Sequence, residues 1–187
     1  MHLPRPAVLA IVAGLSLAGC GDADEPRDER GRVSVGAVAL ATPEGWERID
    51  EPADPPLLER TRFVDPGRRL RLVQVVVGCD EGGLDALVGS VGQPRGPLVV
   101  TGAEEHVPPP QVEGLERARR VTLELGSGAD GEPASFVTEA LYGQHGDALV
   151  LVEVNVPVAG GDGDVDADAV LDSLVADGAA LDASCGA

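Results

Sequence analysis

The sequence predicts an α+β fold in which helices pack on a central antiparallel sheet. Strand-like runs outnumber helical ones, and several are joined by turns that are too short for a parallel crossover. Two other stretches have the apolar spacing of short amphipathic helices. The run 148–156 (ALVLVEVNV) begins apolar on both faces, which is typical of a strand covered from both sides.

The first half of the chain predicts three strands. The short apolar run 35–42 (VGAVALAT) stops at a turn signal, Pro43-Glu44-Gly45-Trp46. Residues 60–65 and 70–77 predict two more strands, one on each side of a turn at Asp65-Pro66-Gly67. These two strands therefore form a predicted hairpin.

Two helices are predicted from apolar spacing. Within 80–92 the apolar residues recur at i, i+3, i+4 and i+7, and Asp80 is a candidate cap. The apolar residues of 166–177 also follow a helical spacing, with Asp166 as the expected N-cap. Each helix would bury one apolar face on the sheet.

The second half of the chain predicts four strands: 97–107, 117–125, 134–143 and 148–156. Pro108-Pro109-Pro110 separates the first two and must be a loop or an edge, because proline cannot donate to a strand ladder. Gly143–Asp147 is the predicted turn between the last two strands.

The first twenty residues predict export and lipidation. Arg5 precedes Ala7–Ala18, an uncharged stretch of twelve residues, whereas a bilayer span needs about 20. This length is typical of a signal peptide. The stretch ends in Leu17-Ala18-Gly19-Cys20, which resembles the lipobox of bacterial lipoproteins. The resemblance implies cleavage after Gly19 and fatty acyl chains such as palmitate on Cys20. The alternative is an ordinary secretory signal in which Cys20 is incidental.

The sequence divides into three predicted parts. Residues 1–19 are the predicted signal peptide. Residues 20–32 are the predicted lipidated cysteine and a flexible acidic tether, because this part has no apolar face. Residues 33–187 are predicted to form one domain.

Several motifs in this domain resemble a known family. LATPEGW (40–46), the ARRVTLEL and ALVLVEV strands, and VLDSL (170–174) near the end resemble the PsbP-like fold. More narrowly, they are similar to actinobacterial lipoproteins of the LpqN type, over about residues 34–176. The resemblance implies an α/β/α sandwich with helices around a central sheet. It implies no catalytic residues.

The charge of the chain excludes one class of partner. The formal net charge is −18, and all 14 basic residues are Arg. Nucleic acid is excluded, since Lys and Arg supply the affinity for phosphates. The same charge argues against electrostatic attraction of the whole protein to anionic lipid.

Four aspartates form a candidate metal site. Asp162, Asp164, Asp166 and Asp168 alternate along the chain like the start of a calcium-binding loop. Ala167 stands where the turn needs Gly, and Ser173 stands where a bidentate Glu is needed. The favoured interpretation is a solvated loop entering a helix, with calcium binding as the alternative. No cofactor is predicted.

Other motifs favour structural interpretations. Gly126–Gly131 matches G-x-G-x-x-G, but Pro133 and a strand follow it instead of a helix, so it predicts a hairpin loop. His106 (after Glu104 and Glu105) and His145 are expected on the surface, since neither has a metal-ligand frame. Trp46 is expected to pack on the core, and the alternative is an exposed ring that stacks on a ligand.

The two remaining cysteines predict a disulfide. An exported chain favours pairing of Cys79 with Cys185, and the alternative is two free thiols.

The predicted function is a non-enzymatic binding module anchored to the cell membrane through Cys20, on its extracytoplasmic side. Its partner would be an envelope protein or a small ligand. The alternatives are a cell-envelope enzyme and a carrier of a small ligand or calcium.

Overall fold

The structure is a computed structural model that describes residues 26–80, 82–89, 98–126, 135–158 and 165–186. The described residues form two sheets and three helices. The strands are β1 (Arg32–Val35), β2 (Val38–Ala41), β3 (Glu47–Glu51), β4 (Leu57–Val64), β5 (Leu72–Cys79), β6 (Val99–Glu105), β7 (Arg117–Gly126), β8 (Phe136–His145), β9 (Ala148–Pro157) and β10 (Val175–Ala176). The helices are α1 (Gly83–Gly89), α2 (Ala167–Asp172) and α3 (Gly178–Cys185).

The large sheet has seven strands in the order β3-β4-β5-β9-β8-β7-β6, and every neighbouring pair is antiparallel. The pairing of β5 with β9 joins distant parts of the chain, with Val75 opposite Val152. Alternate valines of these two central strands point to one face and are fully buried. The predicted α+β fold with a central antiparallel sheet is therefore confirmed.

One face of this sheet is covered by a small sheet and two helices. The small sheet has the order β1-β2-β10, and it packs with α2 and α3 on the central valines. Leu40 of the small sheet, Leu171 of α2 and Leu181 of α3 are each at most 1% exposed. Each such side chain contributes about 1.5–3 kcal/mol on burial. This apolar layer is the larger of the two hydrophobic clusters.

The opposite face is covered by α1. Leu84 of this helix is 1% exposed and packs against Val121, Leu123, Ala140 and Tyr142. Helices therefore lie on both faces of the large sheet. Among the described residues, none of the helices combines the length and the apolar character that a membrane span requires.

The strand predicted at 35–42 is two strands joined by a tight turn. Gly36 has a φ of 52°, which favours glycine, and a Cβ there would collide with the carboxylate of Glu59. The apolar run therefore turns back on itself, with Val35 opposite Val38. Strand β3 was not predicted, because its sequence ERIDE lacks an apolar face and it forms an edge of the sheet.

The helix predicted at 166–177 is shorter than expected. Asp166 is its N-cap, as predicted, but α2 ends at Asp172. The hydroxyl of Ser173 donates to the carbonyl of Val170 at 2.6 Å and accepts from the amide of Ala41 at 2.7 Å. The chain then forms β10, in which Val175 lies opposite Ala39.

Both ends of the described chain are more ordered than the sequence suggested. The C-terminal residues form α3, which is capped by Asp177 and buries Leu181 completely. At the other end, Arg27 forms a bridge with Val33, and its guanidinium donates to the carbonyl of Thr42 at 3.1 Å. Arg27, which lies in the segment predicted as a tether, therefore contacts the domain.

Candidate functional site

An open groove of about 620 Å³ crosses the outer face of the small sheet. Ser34 of β1 and Ala39 of β2 contribute to its lining, and Val175 of β10 lies on the same side. Small side chains leave this surface open. The groove is therefore a concave surface that a ligand could enter.

One wall of the groove is the turn that precedes β1. The carboxylate of Asp28 accepts from the amides of Arg30 at 2.8 Å and Arg32 at 2.9 Å. It also forms an ion pair with the guanidinium of Arg32 at 2.7 Å. The hydrogen bond from the Arg32 amide, with that of its side chain, holds the pKa of Asp28 below its ordinary value. The turn is thus preorganised, and it presents the exposed side chain of Arg30 to the groove.

The opposite wall joins three parts of the chain. The carbonyl of Glu113 accepts from the amide of Ala176 at 2.9 Å, and the amide of Asp177 donates to the carbonyl of Ala37 at 2.8 Å. The side chain of Asp177 caps α3 by accepting from Ala180 at 3.1 Å. The exposed Glu113 side chain is left to face the groove. The two walls therefore offer a cation and a carboxylate.

The lining of the groove combines charged and small side chains. Its lining contains neither His nor Cys, and Ser34 supplies its only side-chain hydroxyl. The groove can hold a polar ligand through ion pairs and through hydrogen bonds to its walls.

The sequence did not reveal this groove. Its walls come from residues 28–32, 113 and 175–180, which are distant in sequence. The charged run near residue 28 is typical of a solvated segment, so its position against the domain could not be predicted. The opposite charges of Asp28 and Arg32, which pair across the turn at 2.7 Å, are the one feature of the site that the sequence displays.

A second polar cluster surrounds Arg120, which is 9% exposed. Its guanidinium pairs with Asp168 of α2, with Glu139 of β8 at 3.4 Å and with Asp172 at 3.7 Å. Asp168 and Asp172 lie on α2, so the cluster fastens this helix to β7.

His106 belongs to the same cluster. Its Nε2 lies 2.7 Å from the hydroxyl of Thr122, which donates to Glu139 at 2.8 Å. The side chain of His106 is 41% exposed, so the expected surface position is correct, although the residue is not isolated. The contacts of the cluster lie between secondary-structure elements, and we assign it a structural role.

The candidate calcium ligands are not brought together in the described part of the chain. Asp162 and Asp164 lie outside the described residues. Asp166 accepts from the amide of Ala169 at 2.9 Å, and Asp168 pairs with Arg120. Among the residues that the structure describes, no group of three or more His, Cys, Asp or Glu is arranged to hold a metal ion.

The glycine motif stands between two strands of the large sheet that are neighbours in the chain. Gly126 ends β7, and the rest of the motif, 127–131, lies outside the described residues. The strands on either side are antiparallel neighbours, with Leu125 opposite Phe136. A dinucleotide site would require a helix after the motif.

The predicted disulfide is present. Cys79 and Cys185 are bonded, and their Cα atoms lie 5.6 Å apart. Cys20, the predicted lipidation site, lies outside the described residues.

His145 lies against the helix that carries this disulfide. His145 is the C-terminal residue of β8, and its side chain is 22% exposed. Its Nε2 lies 3.4 Å from the carboxylate of Asp182 of α3. It is more buried than the sequence suggested, because α3 packs over it at Gly178.

Trp46 is partly buried and packs against the larger hydrophobic cluster. The structural interpretation of this residue is therefore confirmed over that of an exposed stacking ring. Its position follows the turn predicted at Pro43–Trp46, where the chain enters β3.

Comparison with known proteins gives a limited result. No family profile matches the chain, and no curated protein matches it. One similar solved structure is the solution structure of cyanobacterial PsbP (CyanoP) from Synechocystis sp. PCC 6803, with 17% sequence identity and a TM-score of 0.45. The match covers 86% of this chain and 97% of that one.

Proposed function

We propose that this protein is an extracytoplasmic lipoprotein, anchored to the cell membrane through Cys20, that binds a polar ligand or a partner protein in the groove. The cysteine inventory is the observation that supports this most directly. The chain has three cysteines, and two of them form the disulfide. Disulfides persist in oxidising compartments outside the cytoplasm. Cys20 is then the one thiol left to carry lipid.

The position of the groove agrees with an N-terminal anchor. The turn at Asp28–Arg32 forms one wall and lies close to the start of the described residues. Arg27 holds this turn to the domain through Thr42. Few residues separate Cys20 from this turn. An anchor at Cys20 would therefore keep the groove close to the membrane surface.

The anchor is tested by the variant Cys20→Ala. Cells that produce the wild-type protein or this variant are fractionated, and the intact mass of each purified protein is measured. We expect the wild-type protein to sediment with membranes and to carry the mass of its acyl chains. A variant that remains equally membrane-bound would show that Cys20 is not the anchor.

The groove is tested by filling it. Ser34→Tyr places a ring over the groove, and Thr101→Tyr adds the same ring at an exposed position on the edge strand β6. Each form is cross-linked in intact membranes and purified with its neighbours. We expect Ser34→Tyr alone to lose the partners of the wild-type protein. Equal recovery with both variants would exclude the groove as the binding site.

A further inference from the structure

The hairpin between β4 and β5 has a basic and apolar tip. Residues 66–70 (PGRRL) are exposed, and the side chain of Leu70 is 62% accessible to solvent. Arg68 and Arg69 precede it in the sequence. Adjacent guanidinium groups and an exposed leucine are the combination that suits the headgroup layer of a bilayer, where cations meet phosphates and apolar groups reach the acyl boundary.

The tip is held in a fixed conformation. The carboxylate of Asp65 accepts from the amides of Gly67 at 2.8 Å and Arg68 at 3.2 Å. The carbonyl of Arg68 accepts from the amide of Arg71 at 2.8 Å, and Arg71 is 4% exposed. These hydrogen bonds from the backbone to Asp65 close the turn. A preorganised loop loses less conformational entropy when it docks.

The tip lies at the end of the molecule where the described chain begins. Val64, the last residue of β4, pairs with Glu47, which follows Trp46 directly. Four residues before Trp46, Thr42 accepts a hydrogen bond from Arg27. Cys20 precedes Arg27 by seven residues, which span at most about 25 Å when extended. A lipid on Cys20 would hold this end close to the membrane.

A second apolar side chain lies at the same end. Val158 follows β9, the central partner of β5, and is 55% exposed. Strand β5 begins at Leu72, directly after the hairpin, and Leu72 lies opposite Asn155 of β9. Leu70 and Val158 therefore lie at the same end of the sheet, where β5 begins and β9 ends.

We propose that the Arg68-Arg69-Leu70 tip docks on an anionic lipid surface once the acyl group on Cys20 has anchored the protein. This inference rests on the anchor proposed above. The net charge of −18 repels the free protein from such a surface, but it does not exclude local contact. Charges farther away than the Debye length of about 10 Å are largely screened. The anchor supplies a high local concentration that the free protein lacks.

The test uses the acylated protein purified from membranes and reconstituted into two kinds of vesicle, phosphatidylcholine alone and phosphatidylcholine with phosphatidylglycerol. Flotation first establishes anchoring, and amide hydrogen exchange is then measured for the peptide 65–72. We expect exchange in this peptide to slow roughly threefold or more on the anionic vesicles only, and to recover at raised salt. The turn at Gly146–Asp147, at the opposite end of the sheet, should exchange equally on both.

A charge-matched pair of variants makes the test specific. Arg68→Glu with Arg69→Glu should abolish the slowing, whereas Arg117→Glu with Arg119→Glu changes the charge equally at the opposite end and should preserve it. Protein that floats but shows no slowing would overturn the docking proposal while the anchor stands. Protein that does not float would overturn the anchor, and the docking proposal with it.

Discussion

Cys79 ends the central strand β5, and Cys185 ends the last helix, so their disulfide joins the C-terminal helix to the middle of the sheet. Their sequence separation is 106 residues. Only Leu181 of this helix is fully buried, and the helix has no other large apolar anchor. The covalent bond therefore supplements a small apolar contact.

We expect removal of this bond by Cys185→Ala to lower the free energy of unfolding by up to about 4.7 kcal/mol, the chain-entropy value for a loop of this size. Urea unfolding of the wild-type protein and the variant measures the change. Reductant should destabilise the wild-type protein and leave the variant unaffected. An unfolding midpoint that is equal in both proteins under oxidising conditions would contradict this prediction.

Arg120 should be sensitive to substitution. Its side chain is 11% exposed and faces three carboxylates. Removal of one partner from a buried ion pair typically costs about 3–5 kcal/mol, and we expect about 2–4 kcal/mol for Arg120→Met because Asp168 and Asp172 are exposed. Arg117→Met is the control. Its side chain is 52% exposed, and we expect a change of about 0–1 kcal/mol. Equal costs in urea unfolding would show that the cluster does not hold α2.

Asp50 should make the free energy of unfolding depend on pH. Its hydrogen bond from the side chain of Arg48, followed by that from Thr61, lowers its pKa below the ordinary value of 3.8. A lowered pKa in the folded state stabilises the protein above the unfolded pKa, and this contribution is lost as pH falls through the folded pKa. We expect Asp50→Asn to destabilise the protein near neutral pH and to have a diminishing effect below pH 3.8. A difference from the wild-type protein that stays constant across this range would refute the linkage.

Trp46 offers an optical test of the core. It is the single tryptophan of the chain and is partly buried against the larger hydrophobic cluster. We expect its emission to shift to the red on unfolding, and we expect Trp46→Ala to cost somewhat less than the roughly 3–5 kcal/mol of a fully buried tryptophan. Tyr142, which is 1% exposed, provides a comparison, because Tyr142→Ala should cost more. Equal iodide quenching in the folded and unfolded protein would contradict the packing.

The parts of the fold that the sequence predicted are those set by local pattern. The alternation in β9, the cap at Asp166 and the turn at Asp65–Gly67 each depend on neighbours in the chain. The end of α2 could not be predicted in this way, since Ser173 stops the helix by bonding to Ala41, which is 132 positions away.

The candidate site was hidden for the same reason. One wall of the groove forms only because Glu113 approaches β10, which is distant from it in sequence. The disulfide could be predicted because the argument for it depends on the oxidising compartment and the cysteine count, and needs no geometry. Arg120 likewise shows no sequence signal, since its partners lie on β8 and α2. Long-range polar contacts therefore account for most of what the sequence left open.

Gly114 is the position where the groove wall tolerates least change. It has a φ of 82°, and a Cβ there would collide with the backbone of Ala176. Gly114→Ala would strain the backbone and push β10 away from Glu113, whose carbonyl accepts from the amide of Ala176 at 2.9 Å. We expect a loss of about 2–4 kcal/mol in the free energy of unfolding, together with faster exchange of the Ala176 amide.

Gly45→Ala separates the two causes of this loss. Gly45 has a φ of 75°, but a Cβ there would meet nothing within 4 Å, so its substitution carries the backbone strain without the collision. We expect that variant to lose about 1 kcal/mol and to leave the exchange of the Ala176 amide unchanged. Equal losses in the free energy of unfolding for the two variants would contradict this prediction. Backbone strain alone would then explain the loss at Gly114, and its close approach to β10 would not stabilise this wall of the groove.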